Sequence, residues 1–180
     1  MSLPAVPPDE LAGIVREVTA YAREQRRQHF PMAAPLSPRQ RETMRPFFPA
    51  AVLEEARVRL IPTASFPNPA FVHRARARGF QHMPDYSHLQ EITFQDVVLL
   101  QEPGSDRLLF HGLVHVVQCR VLGLERYVAA YLRAFVSTGR HVTVPLEMQA
   151  FQLDERFVAR PTQPFSVEDE VEDWERQGRF

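Results

Sequence analysis

The chain has 180 residues, of which 44% are hydrophobic, and a formal net charge of −1 at pH 7. This length and composition suit a single globular domain, which we expect to span residues 9–180 after a flexible lead-in at 1–8. The balanced charge gives no reason to expect a nucleic-acid or membrane partner. The single cysteine, Cys119, excludes an internal disulfide, and no apolar run approaches the ~20 residues of a membrane helix, so we expect a cytoplasmic protein.

The first hundred residues predict short elements separated by prolines. An amphipathic helix is expected after Asp9, because apolar residues recur at helical spacing from Leu11 to Ala22. Further short elements are predicted as a helical turn or two after Ser37-Pro38, a helix at 50–56, a strand at 58–63 and a basic helix at 71–78. The run EITFQDVVLL at 91–100 is rich in β-branched and apolar residues and predicts one strand, ended by a Glu-Pro-Gly-Ser-Asp turn. Three histidines in this part, His73, His82 and His88, share no helix face, which indicates loop histidines without a metal.

The segment RLLFHGLVHVVQCRVLG, at 107–123, predicts a helix that is apolar almost all the way round and therefore central to the domain. Its polar residues are Arg107, His111, His115 and Gln118, and their spacings of four, four and three place them on one stripe. Two imidazoles one helical turn apart can bind a single ion, so this spacing is typical of half a zinc site.

Three more helices are predicted after the central one. They are expected at 124–137, at 145–160 after Pro145, and at 166–177, where the last carries an acidic face. That acidic face is expected to meet solvent, with the alternative that this helix covers the site as a lid. Together these elements predict an α+β fold that is mainly helical, with a small mixed sheet packed on the central helix.

The motif HGLVHVVQ at 111–118 resembles the HELVHVVQ helix of zincin-type metallopeptidase domains. The similarity covers about residues 47–157: ITFQDVVLLQ resembles the preceding strand, RVLGLERYVAAYLRAF the following helix, and PLEMQAFQLDERF the helix that delivers a glutamate ligand in the glutamate-zincin branch. The chain is most similar to a group of small, largely uncharacterised bacterial zincin-like proteins. Where the motif has its catalytic glutamate, this chain has Gly112.

The resemblance implies that His111, His115 and Glu147 bind one zinc ion per chain. Without the ion, the two histidines would be core residues hydrogen-bonded to Glu147 and Gln118. Gln118 and Asp154 are expected to support the ligating rings through hydrogen bonds. Gly112 is expected to leave an open notch for a substrate or ligand beside the metal.

Glycine cannot act as a general base, so an ordinary peptidase mechanism requires another carboxylate. Asp154 and Glu91 are the candidates, and Glu102 is a third. Two functions therefore remain open. The favoured one is a metal-binding pseudoenzyme that binds an unknown peptide, protein or small molecule, and the alternative is an active zinc-dependent hydrolase with a displaced base.

Overall fold

The computed structural model describes residues 3–62, 66–101 and 104–180, and it has the predicted α+β, mainly helical architecture. The elements in these ranges are α1 (Pro8–His29), β1 (Ala34–Pro35), α2 (Pro38–Met44), α3 (Ala50–Glu55), β2 (Arg57–Ile61), α4 (Ala70–Ala77), β3 (Glu91–Phe94), β4 (Val97–Gln101), α5 (Asp106–Leu122), α6 (Leu124–Thr138), α7 (Pro145–Ala159) and α8 (Val167–Arg176). Short 3-10 turns lie at Phe30–Met32, Tyr86–His88 and His141–Thr143. The predicted strand end at Thr63 and the candidate base Glu102 lie outside the described ranges.

The four strands form one mixed sheet in the order β1-β2-β4-β3, in which β2 and β4 are parallel and the other pairs antiparallel. The single strand predicted at 91–100 is wrong, because the chain reverses at Gln95 and Asp96 and forms a hairpin. Gln95 has a φ of 60°, a left-handed conformation that this kind of tight turn requires and that glutamine rarely adopts. The hairpin makes β3 the outermost strand on its side of the sheet.

Helix α5 lies at the centre of the fold. The Ser105 hydroxyl caps it by accepting a hydrogen bond from the Leu108 amide at 3.1 Å, and Gly123 ends it with a φ of 75°. One side of α5 packs on β3 and β4, and the other sides contact α6, α7 and α8. Phe110 is fully buried and stacks on Phe157 with 4.5 Å between ring centroids. The side chains of α5 are therefore enclosed by neighbouring elements on several sides.

The ends of the chain pack against this core. Leu3 lies against Gly139, and Val6 joins an apolar cluster that includes Phe80. At the other end, α8 packs on α5 through apolar residues of its buried face, and its acidic residues lie on the opposite, more exposed face. No α8 residue is among those that line the large cavity beside α5, so α8 does not lie over the site as a lid.

Within the described ranges, no single helix is long and apolar enough to cross a bilayer; α5 and α6 meet that criterion only as a pair, which is bent by 111°.

Candidate metal centre

His111 and His115 point the same way from α5, and their Nε2 atoms lie 3.1 Å apart. The Glu147 Oε2 atom, delivered by the first turn of α7, lies 3.6 Å from the Nε2 atom of His111 and 3.5 Å from that of His115. A tetrahedral zinc ion with bonds of about 2.0–2.1 Å separates its ligand atoms by about 3.3 Å. The three donor atoms therefore have the mutual spacing that one face of a zinc tetrahedron requires.

The proton positions on His111 follow from its second nitrogen. His111 Nδ1 lies 2.9 Å from the Asp154 carboxylate, which also accepts hydrogen bonds from the Arg107 guanidinium at 2.8–3.0 Å. An ionised carboxylate only accepts hydrogen bonds, so His111 Nδ1 carries the hydrogen. In the neutral ring Nε2 then has a free lone pair, through which this nitrogen can bind a metal.

The position of the hydrogen on His115 follows from its contact with the side-chain amides of Gln118 and Gln149. The Gln118 Nε2 atom donates to the Leu146 carbonyl at 2.9 Å and to Gln149 Oε1 at 3.0 Å, so Gln118 Oε1 is the atom that faces His115. His115 Nδ1 donates to that oxygen at 2.8 Å, and the Tyr127 hydroxyl lies farther away at 3.3 Å. The Nε2 atoms of both rings therefore face the same Glu147 carboxylate oxygen, and either protons or a metal ion can satisfy this arrangement.

The electrostatics of the buried cluster support the same conclusion. Burial opposes the charge on His111, but hydrogen bonds to Asp154 and Glu147 outweigh it and raise the pKa of His111 to about 10. Burial also opposes the charge on Glu147, but the neighbouring His115 and His111 hold the pKa of this carboxyl well below its ordinary value. The environment of the cluster thus favours positive charge, which protons or a metal ion can supply.

Glu91, on the edge strand β3, brings a second carboxylate to the cluster. A ligand oxygen of Glu91 and one nitrogen from each of His111 and His115 all lie within 4.8 Å of one another. Glu91 Oε1 accepts a hydrogen bond from the Thr93 hydroxyl at 2.5 Å, and that hydroxyl is also 3.2 Å from the Gly112 carbonyl oxygen. Burial raises the pKa of Glu91, against the lowering effect of the two histidines. Glu91 is therefore a carboxylate held in place beside the two imidazoles.

The space beside Gly112 is occupied rather than open. A Cβ atom built on residue 112 would lie 2.5 Å from Val98 Cγ1, 2.9 Å from Glu91 Oε1 and 3.1 Å from Thr93 Oγ1. The expected open notch for a substrate or ligand is therefore wrong, because side chains of β3 and β4 fill it. The Glu91 carboxylate stands next to the position from which a glutamate at 112 would project.

The two candidate bases thus lie in different places. Asp154 is buried and directed at the Nδ1 side of His111 and at Arg107, so it supports the ring from behind. Glu91 lies on the side where the two imidazoles converge. Of the two, only Glu91 shares the converging side of the imidazoles, where its carboxylate can act as a metal ligand or as a base.

Sequence reasoning missed a third histidine, His141, in the 3-10 turn before α7. Its Nε2 atom lies 3.5 Å from Glu147 Oε2, and its Nδ1 atom lies 2.8 Å from the Tyr131 hydroxyl. Burial is the main cause that lowers the pKa of His141. A histidine six residues before Glu147, just ahead of the start of α7, was the available signal. His141 adds a further imidazole to the wall of the site.

Comparison of the chain with protein-family models, with curated proteins and with solved structures gives no match in any of the three. The assignment of a function to this cluster therefore depends on its chemistry.

Proposed function

We propose that the protein is a zinc-dependent hydrolase in which Glu91, from the edge strand, takes the place of the glutamate missing at position 112. The observation that carries this proposal is the Glu91 carboxylate beside residue 112 and within 4.8 Å of both imidazoles. It favours the active hydrolase over the metal-binding pseudoenzyme expected from the sequence.

The donor set fits a zinc ion with His111, His115 and Glu147 as ligands, since two nitrogens and one carboxylate oxygen are a known catalytic zinc set. Bound there, zinc would polarise a carbonyl group and lower the pKa of a nearby water. Asp154 and Gln118 hold the two rings with their Nε2 atoms directed into the site.

Glu91 would remove the proton from the attacking water and transfer it to the leaving group. Its raised pKa suits the first step, because a carboxylate with a higher pKa is a stronger base toward the water. Thr93 restricts the carboxylate through the hydrogen bond to Oε1, so the base is oriented before a substrate arrives.

The test is Glu91→Gln, which removes the base and keeps the shape of the side chain. We expect the variant to fold, to retain zinc, and to hydrolyse a panel of chromogenic esters, amides and an unstructured peptide about 10²–10⁴-fold more slowly than the parent. Glu42→Gln, at an exposed carboxylate on α2, is the matched control and is expected to keep the parent rate.

The zinc content of the same samples separates two roles for Glu91. Replacement of a base leaves zinc bound to the protein, whereas replacement of a fourth metal ligand releases it. If Glu91→Gln loses zinc together with activity, Glu91 is a metal ligand and its proposed role as the base fails. An unchanged rate with zinc retained would also contradict it.

A further inference from the structure

A large cavity adjoins the cluster. Its volume is about 550 Å³, within the range of about 300–1,000 Å³ typical of sites for small molecules. Glu91, His111, His115 and Glu147 form part of the wall. Much of the remaining wall is apolar or aromatic, and includes Val18, Tyr21, Phe71, Leu124, Tyr127 and Leu132. The cavity therefore has the polar cluster on one part of its wall and a hydrophobic part beside it. We call this hydrophobic part the chamber.

Helix α1 closes the cavity beyond the edge strand. Ile92 and Phe94 face the side of the sheet on which α1 lies, and Tyr21 of α1 packs edge-on against Phe94 with 6.0 Å between ring centroids. The same helix also packs along α6, so it passes over the outer edge of β3. An extended polypeptide that paired with β3 would meet this helix.

Ion pairs fasten α1 at both sides of the cavity. Arg26 binds Asp96, in the turn between β3 and β4, through two hydrogen bonds of 2.5 and 2.7 Å. Arg23 binds Glu125, at the start of α6, at 3.0 Å. Tyr21 additionally packs on Phe71 of α4 at 5.3 Å. These contacts hold α1 against β3 and α6. An elongated substrate would have to displace α1 to reach the cavity along β3.

The charges in the wall disfavour an ionic substrate. Among the described residues, Arg107 is the one arginine that lines the cavity, and it is already bound to Asp154. The carboxylates of Glu91 and Glu147 belong to the metal cluster. The two other imidazoles in the wall also have partners: His141 contacts Tyr131 and Glu147, and His88 contacts Asp85. Since each basic group in the described part of the wall already has a partner, a neutral molecule loses the least solvation on entry.

We infer that the substrate is a small, uncharged ester or amide with a hydrocarbon acyl chain or aromatic body, and that this body occupies the chamber under α1. The inference rests on the proposed hydrolase function. In the reaction, water adds to the carbonyl carbon, the bond to the alcohol or amine breaks, and the leaving group takes a proton while the acyl part becomes a carboxylic acid.

Straight-chain alcohols test the chamber without any reaction, because they are neutral and cannot be hydrolysed. We expect the affinity of the zinc-loaded protein to rise about fourfold for each added methylene from ethanol to hexanol, measured by calorimetry. Ala22→Phe, which fills the chamber from α1, should remove most of the gain for hexanol. Ala20→Phe, on the exposed side of the same helix, should leave the series unchanged.

Leu132→Trp, which fills the chamber from α6, repeats the test should Ala22→Phe fail to fold. Affinities that do not depend on chain length, or that Ala20→Phe weakens as much as Ala22→Phe, would overturn the inference. Faster hydrolysis of an unstructured peptide than of hexanoate esters would overturn it in favour of a polypeptide substrate. If the alcohols bind as expected but no ester or amide is hydrolysed, the chamber is supported and the hydrolase function is contradicted.

Discussion

The carboxylate of Glu91, the hydroxyl of Thr93 and the methyl group of Val98 share the space beside Gly112 on α5. A glycine inside a helix ordinarily costs about 0.5–1 kcal/mol relative to alanine. Here a Cβ atom would meet Val98 Cγ1 at 2.5 Å, closer than real Cβ atoms approach a neighbour. The absence of a side chain at Gly112 therefore leaves the space that the Glu91 carboxylate occupies.

Gly112→Ala is expected to destabilise the protein by about 1–3 kcal/mol, since the added methyl group overpacks the contact with β4 and displaces Glu91. Gly13→Ala is the matched control, because a Cβ atom there meets only the end of Arg16 at 3.8 Å. It should stabilise the protein by about 0.4–1 kcal/mol. Urea unfolding of both variants gives the two signs, and a stabilised Gly112→Ala would show that the space is open after all.

The residues of the cluster differ in how far the sequence could predict them. The stripe from Arg107 to Gln118 follows from helical spacing alone, and Glu147 required the resemblance to a known motif. Glu91 was one of several candidate carboxylates, because its distance from α5 depends on which strand lies at the sheet edge. His141 escaped notice since it lies in a short 3-10 turn without any periodic pattern.

Among the elements, α5 and α7 form the frame of the cluster. The histidines come from α5 and the glutamate from α7, and Gln118 joins the same helices through the Leu146 carbonyl. A chain of hydrogen bonds continues from Gln149 Nε2 to the Glu170 carbonyl oxygen on α8 at 3.0 Å. An ion in the cluster would therefore link helices that are distant in sequence.

Zinc is expected to stabilise the folded protein because it binds the assembled helices and not the unfolded chain. At free zinc 100-fold above its dissociation constant the gain is about 2.7 kcal/mol, a rise of about 5–10 °C in Tm for a chain of this size. Thermal unfolding with zinc and after chelation measures the difference. His115→Ala should show no response to zinc, and an equal Tm for the parent in both conditions would contradict a metal link between α5 and α7.

The helices were more predictable than the sheet. The hydrophobic spacing and the caps predicted most of the longer helices to within a residue or two, for example 106–122 for α5 against the expected 107–123. The β3–β4 hairpin was missed because its turn uses Gln95 and Asp96 without a glycine, so the apolar run looked continuous. That turn determines the composition of the site, since it places Glu91 of β3 beside α5.

At the scale of the whole molecule, separate parts of the chain converge on one small volume. The edge strand supplies Glu91, α5 supplies two histidines, α7 supplies Glu147, and α1 passes over the strand to close the cavity. No single segment forms the site, which is why local sequence patterns could indicate His111, His115 and Glu147 but not the shape of the site around them.

We propose that these converging residues bind zinc, and elemental analysis of the purified protein under metal-replete conditions measures this binding. We expect about one zinc per chain in the parent and in His88→Ala, a control at an exposed histidine, and none in His115→Ala. Absence of stoichiometric zinc from the folded parent, or full occupancy in His115→Ala, would show that these residues do not form a zinc site.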